Sequence, residues 1–273
     1  MIYDIIDRYQ AIFIDAYGIL VDASGALEGA IEFIDRINQL GKNYLIVTND
    51  ASRSHKEISL RFLGLGIEIT EDKILCSGSL IVDYFATHQL SGARTRIMGT
   101  KGSVEFAHSA RAELVNDQDD DFDVLILADE SGYRFRESID HVVSQLIRLI
   151  DKNKTPRLIL PNPDLIYPKA GTEYGITAGS IGLMIESILA QRYGEKAELK
   201  FERLGKPEAW IYEAACKKAN TKDALMIGDQ MQTDILGAHN FGIDSLLLLT
   251  GLTQNKPGSQ SAVKPTYVLS TLS

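Results

Sequence analysis

Short apolar runs alternate with amphipathic stretches along most of the chain. Ala11-Ile12-Phe13-Ile14 is a continuous apolar run of strand length, followed by a loop and the helical spacing Ala30, Phe33, Ile34, Ile37, Leu40. Asn43 to Val47 predicts the next strand, and Ile58, Leu60, Phe62 and Leu63 a further helix. The pattern returns late, with a helix over Glu208 to Lys218 and a strand at Ala224 to Ile227. A helix from about Thr233 and a strand at Ser245 to Leu249 complete it. Unbroken apolar strands between one-faced helices predict a doubly wound α/β fold, a parallel sheet covered on both faces.

The middle has another texture. Thr95 to Met98, Val124 to Leu127 and Arg157 to Leu160 read as strands, and Phe135 to Ile150 as a strongly amphipathic helix. The acidic run Asn116-Asp117-Gln118-Asp119-Asp120-Asp121 reads as a solvated turn rather than a metal site. Ser91-Gly92 and Thr177 to Gly179 offer hinges. The expectation is a core of residues 1–91 and 178–273, with residues 92–177 inserted as a second α/β unit.

Composition narrows the function classes. A chain of 273 residues suggests about two domains, and 45% apolar with 24% charged residues is ordinary for a globular protein. No apolar run approaches the ~20 residues that span a bilayer. Asp4, Asp7 and Arg8 interrupt any secretory signal, so the protein is expected in the cytoplasm, away from membranes. Lys plus Arg is 28 and Asp plus Glu 37, a net charge of −9 without a basic stripe, which argues against nucleic acid. A local phosphate site remains compatible with that balance. Cys76 and Cys216 stand far apart and read as two buried thiols.

Candidate chemistry sits where the core strands end, the place where open α/β sheets bind ligands. Ile14 runs into Asp15, with Gly18 three residues on, and Val47 runs into Thr48-Asn49-Asp50. Ile227-Gly228 runs into Asp229, and Asp234 follows; Gly205-Lys206-Pro207 precedes a helix. Each alone is a common turn or helix entry. Together they supply carboxylates for a divalent cation, a hydroxyl, an ammonium and a helix N-terminus, a set that can neutralise a phosphoryl group and place an oxygen nucleophile against it.

In this order the motifs resemble the haloacid dehalogenase superfamily, in the class IIA branch that carries a large α/β cap, with the NagD-like and nitrophenylphosphatase-like phosphatases. Motif one is Phe13 to Leu20, motif two Val47-Thr48-Asn49-Asp50, motif three Gly205-Lys206-Pro207 and motif four Ile227 to Asp234. Pro161-Asn162-Pro163-Asp164 resembles the substrate loop of the cap. The resemblance implies a Mg²⁺-dependent phosphatase of a small, sugar-phosphate-like metabolite. Asp15 would be the nucleophile that forms an aspartyl-phosphate. Asp15, the Tyr17 carbonyl and Asp229 would hold Mg²⁺. Thr48 would bind a phosphate oxygen, Lys206 would offset charge, and Asp234 would position Lys206 or a metal-bound water. Asn49, Asp50, Asn162 and Asp164 would meet the substrate. Caps of this class often mediate dimers, so a homodimer is open.

One departure matters. The family usually carries a second Asp two residues after the nucleophile, as general acid and base, and this chain has Tyr17 there. Such a group contributes ~10²–10⁴-fold, so the expectation is a slow hydrolase. The alternative is a degenerate protein that binds a phosphate ligand without turnover. A milder departure is Asp50 where the family often has Asn; an extra anion there would weaken phosphate binding.

Overall fold

The computed structural model describes residues 2–169, 173–253 and 262–272. Its strands are β1 (Ala11–Ile14), β2 (Tyr44–Thr48), β3 (Ile74–Cys76), β4 (Arg94–Met98), β5 (Glu113–Leu114), β6 (Val124–Leu127) and β7 (Arg157–Leu160). They continue as β8 (Ile166–Pro168), β9 (Tyr174–Ile176), β10 (Glu202–Arg203), β11 (Ala224–Gly228), β12 (Asp244–Leu248) and β13 (Tyr267–Leu269). The helices are α1 (Ile2–Ile6), α2 (Ala30–Gln39), α3 (His55–Gly64), α4 (Leu80–Thr87) and α5 (Lys101–Ser109). Further on come α6 (Phe135–Asp151), α7 (Ala178–Tyr193), α8 (Ala209–Ala219) and α9 (Leu236–Phe241).

The first sheet is six parallel strands in the order β13-β12-β11-β1-β2-β3. Phe13 of β1 pairs with Met226 on one side and Leu45 on the other. Every residue of β1, β2 and β11 is buried, which accounts for their unbroken apolar sequences. Helix α2 turns Ala30, Phe33, Ile34 and Ile37 inward, as its spacing predicts. From β1 the chain moves out to β2 and β3, and later returns to β11 on the opposite side of β1. Strand order therefore reverses between β1 and β11, so a crevice opens at their carboxyl ends.

The second sheet is also parallel, in the order β10-β7-β6-β4-β5, and β8 and β9 form a separate antiparallel hairpin. Its extent corrects the boundary expected at 177. Helix α7 buries Ala178, Ile181, Ile185 and Leu189 in the apolar cluster that holds Leu158, Leu160 and Phe201. Strand β10 then pairs with β7, Arg203 opposite Leu160. The chain re-enters the first layer only after Arg203. Thr177 to Gly179 is no hinge either: the Thr177 hydroxyl donates to the Asp164 carbonyl, and the Gly179 amide donates to it at 3.1 Å.

Alternate residues of β6 and β7 face opposite ways. Leu125, Leu127, Leu158 and Leu160 pack beneath α6 and α7. Val124, Ile126 and Ile159 join the same apolar core as the first sheet. The acidic run is held down rather than free. Arg96 meets Asp117 at 2.8 Å, Arg94 meets Asp119 at 3.4 Å, Arg148 meets Asp120 at 2.5 Å and Lys154 meets Asp121 at 2.5 Å. Among the described residues, no helix is long and apolar enough to cross a membrane.

Candidate active site

The crevice is floored by carboxylates. Asp15 follows β1 and Asp229 follows β11, the two strands that flank the switch point. Asp234 enters from a wide helical turn, Met231–Ile235, after β11. Asp15, Asp229 and Asp234 are all buried, with ligand oxygens within 4.8 Å of one another. Close approach depends on glycine. Gly18 has φ +83°, and a Cβ there would stand 2.5 Å from Asp229 Cγ; a Cβ on Gly228 would run into the Asp234 carboxyl. The Asp234 Oδ2 accepts the Gln230 amide at 3.1 Å.

Lys206 stands over this floor, 2% exposed, with Nζ 2.7 Å from Asp15 Oδ1 and 2.7 Å from Asp234 Oδ1. Asn49 holds its main chain. The Asn49 Oδ1 accepts the Lys206 amide at 2.7 Å, while its Nδ2 donates to the Lys206 carbonyl at 2.9 Å and to Asp164 Oδ1 at 2.8 Å. Asn162 Oδ1 accepts the Asp164 amide at 3.1 Å, which shapes the loop that hangs from the second unit. Thr48 is buried at the end of β2.

Asp50 is bonded to the start of the segment that leads into α3. Its Oδ1 accepts the Ser52 amide and hydroxyl, each at 2.7 Å, and its Oδ2 pairs with Arg53 at 3.0 Å. It shapes the entry to α3, and its charge is already answered. Tyr17 is half-buried, with the Arg61 guanidinium 5.8 Å from its ring centroid.

Asp15, Tyr17, Thr48, Asn49, Asp50, Asn162, Asp164 and Lys206 all line one cleft of about 390 Å³. The sequence reading missed Arg53 and Arg61 on the α3 side, Asp129 and Glu130 after β6, and Tyr167 on the hairpin. Signals for three of these were present. Asp129 and Glu130 follow an apolar strand as Asp15 does. Arg61 falls on the helical face of Ile58 and Phe62, where a lone arginine is out of place.

Charge accounts for the pKa directions. Burial pushes the Asp15 carboxyl up to about 7, Lys206 pulling it down and Asp234 adding to the rise. Burial, then Asp234 and Asp15, lift Asp229 well above the carboxylate range. Burial alone would lower Lys206, but Asp15 and Asp234 outweigh it and hold the ammonium above the usual lysine range. Burial also raises Asp164 to about 6.

Crowding of three buried carboxylates around one ammonium is what raises Asp15 and Asp229, and the buried Asp229 Oδ1 has no hydrogen-bond partner. Hard divalent cations take such oxygen donors. The residues present therefore fit a divalent metal ion.

Comparison with known proteins agrees with this geometry. The family description "Haloacid dehalogenase-like hydrolase" matches residues 12–113, and a second, HAD-hydrolase-like, description matches residues 203–273. The 5'-nucleotidase YutF of Bacillus subtilis is 27% identical over 277 residues, covering 97% of this chain and 96% of the relative. An acid sugar phosphatase of Staphylococcus haemolyticus is 24% identical, covering 95% and 92%. A solved "possible sugar phosphatase" of Cytophaga hutchinsonii superposes with a TM-score of 0.83 at 30% identity, covering 99% of this chain and 96% of the other.

Proposed function

The chain belongs to the haloacid dehalogenase-like hydrolases, in the capped class IIA branch, and on that premise we propose that it hydrolyses a small, sugar-phosphate-like phosphomonoester through an aspartyl-phosphate on Asp15. The observation that carries this reading is the Lys206 Nζ, 2.7 Å from both Asp15 and Asp234 at the base of the cleft. That ion pair holds one Asp15 oxygen in place and turns the carboxylate toward the cleft.

An oxygen of Asp15 attacks phosphorus, the bond to the ester oxygen breaks, and the phosphoryl group passes to the carboxylate. Thr48 donates a hydrogen bond to a phosphate oxygen. Lys206 offsets charge on nucleophile and phosphate, and Asp234 keeps it aimed. The Tyr17 phenol donates a proton to the departing oxygen. Its side chain stands two residues from the nucleophile on the same cleft wall. Water then attacks the aspartyl-phosphate: the bond from phosphorus to the Asp15 oxygen breaks, the water proton returns to the Tyr17 phenolate, and phosphate leaves. Asp15, Asp229 and the Tyr17 carbonyl would hold Mg²⁺, which when bound supplies positive charge to the phosphate oxygens.

Residues of about 93 to 203 act as the cap, with Asp164 and Asn162 facing the leaving group. The names of the relatives, a 5'-nucleotidase and an acid sugar phosphatase, support turnover over the non-hydrolytic alternative. The test is phosphate release from a panel of phosphomonoesters, in Mg²⁺ and in EDTA. Release that requires Mg²⁺ is expected; no release from any ester in Mg²⁺ would overturn the reading.

A further inference from the structure

We infer that the substrate's leaving group carries a carboxylate, and that Arg61 receives it; the inference rests on the phosphatase reading above. Three cations line the cleft. Lys206 is engaged by Asp15 and Asp234, and Arg53 by Asp50 at 3.0 Å. Among the described residues, Arg61 alone of the three has no carboxylate at ion-pair distance. Its neighbour is the Tyr17 ring, whose centroid lies 5.8 Å from the guanidinium carbon. Asp22, whose charge reaches Tyr17, accepts the Ser24 amide and hydroxyl at 2.7 and 2.6 Å.

The placement of Arg61 is built in. It shares a helical face with Ile58 and Phe62, both buried, at the i, i+3, i+4 spacing. That face sets Arg61, a half-buried residue, into the cleft wall. A guanidinium there without a carboxylate partner can take an arriving anion in a charge-assisted hydrogen bond. An aspartate at position 17 would itself supply that anion. The phenol does not, so the positive charge stays available to the ligand.

Asp129 lies within charge range of Arg53, which Asp50 already pairs at 3.0 Å. A ligand carboxylate beside Arg53 would compete with these acids, and one beside Arg61 would not. A phosphate held over Lys206 therefore points its leaving group, acid end first, toward Arg61, with Tyr17 and Tyr167 against the stem.

Two nearly isosteric esters test this: 3-phosphoglycerate, which ends in a carboxylate, and glycerol 3-phosphate, which ends in a hydroxymethyl group. A charge-assisted hydrogen bond supports roughly ten- to a hundredfold discrimination. Wild type should favour 3-phosphoglycerate in kcat/KM by at least about tenfold, mostly through KM. Arg61→Gln should bring the ratio near one, Arg61→Lys should restore part of it, and Tyr17→Asp should lower it by neutralising Arg61. Calorimetric titration of the Asp15→Asn protein with the same two esters reads the preference without turnover. A wild-type preference for glycerol 3-phosphate, or a ratio unchanged in both Arg61→Gln and Tyr17→Asp, would overturn the inference. If p-nitrophenyl phosphate and both esters go unhydrolysed in Mg²⁺, the phosphatase reading fails instead, and the affinity ratio still decides the role of Arg61.

Discussion

The side-chain amide of Asn49 grips the main chain of Lys206 in both directions, accepting its amide at 2.7 Å and donating to its carbonyl at 2.9 Å. Since the same Nδ2 reaches Asp164, one amide sets both the lysine of the first layer and the loop of the second. Asn49→Ala leaves a buried amide and carbonyl without partners, at about 1–3 kcal/mol. For a chain of this size that is a fall of several degrees in Tm. Turnover should fall further than stability, because the ammonium loses its fixed height. Thermal melts and steady-state kinetics on one preparation check both; an unchanged kcat would show that Lys206 is positioned by its ion pairs alone.

Asp15→Asn should remove phosphate release, by a factor of roughly 10³ or more, because an amide is a poor nucleophile toward phosphorus. Circular dichroism must show a native fold in the same sample. Retained turnover in folded protein would exclude a covalent step through this residue.

Millimolar Mg²⁺ should raise Tm, since a ligand that binds only the folded chain stabilises it by about 2.7 kcal/mol at a hundredfold excess over Kd. Gly18→Ala should abolish that shift without replacing any carboxylate. Its Cβ would stand 2.5 Å from Asp229 Cγ, on a backbone at φ +83° that disfavours side chains. Melts of wild type and variant in Mg²⁺ and in EDTA decide this. An equal shift in the two proteins would place the metal elsewhere.

Burial, then the charge of Asp129, raises Glu130 from 4.5 to about 7. Between those values the folded protein keeps a proton that the unfolded chain has released, so this group makes stability fall as pH rises through that window. Glu130→Gln removes the contribution. The variant should match wild type near pH 4 and exceed it in Tm at pH 8. Parallel melts at the two pH values measure the difference, and identical curves at pH 8 would mean that Glu130 is ionised at no cost.

What the sequence made legible is what local pattern determines. The β1, β2 and β11 strands, and the Asp15, Thr48 and Asp229 that end them, follow from unbroken apolar runs meeting polar residues. The boundary at 177 did not follow. Thr177 to Gly179 has turn chemistry, and only the distant pairing of β10 with β7 shows that α7 belongs to the second sheet. Asn116 to Asp121 is the exposed turn its composition predicts, but its counter-charges, Arg94, Arg96, Arg148 and Lys154, come from β4, α6 and the turn after it and could not be read from the run itself. Arg61 shows in the sequence only as an arginine on the apolar face of Ile58 and Phe62; its ring neighbour Tyr17 lies on another element, and no spacing in the chain links the two.

Val124, Ile126 and Ile159 of the second sheet share one apolar core with the first sheet. The inserted unit is therefore not a detachable module. Excised alone, residues of about 93 to 203 would carry that face into water, and the remaining layer would be left with a matching apolar scar. The two layers should melt together in a single calorimetric transition. Swapping the insert between relatives would then require these seam residues to travel with it, so substrate range in this lineage is constrained by packing far from any substrate.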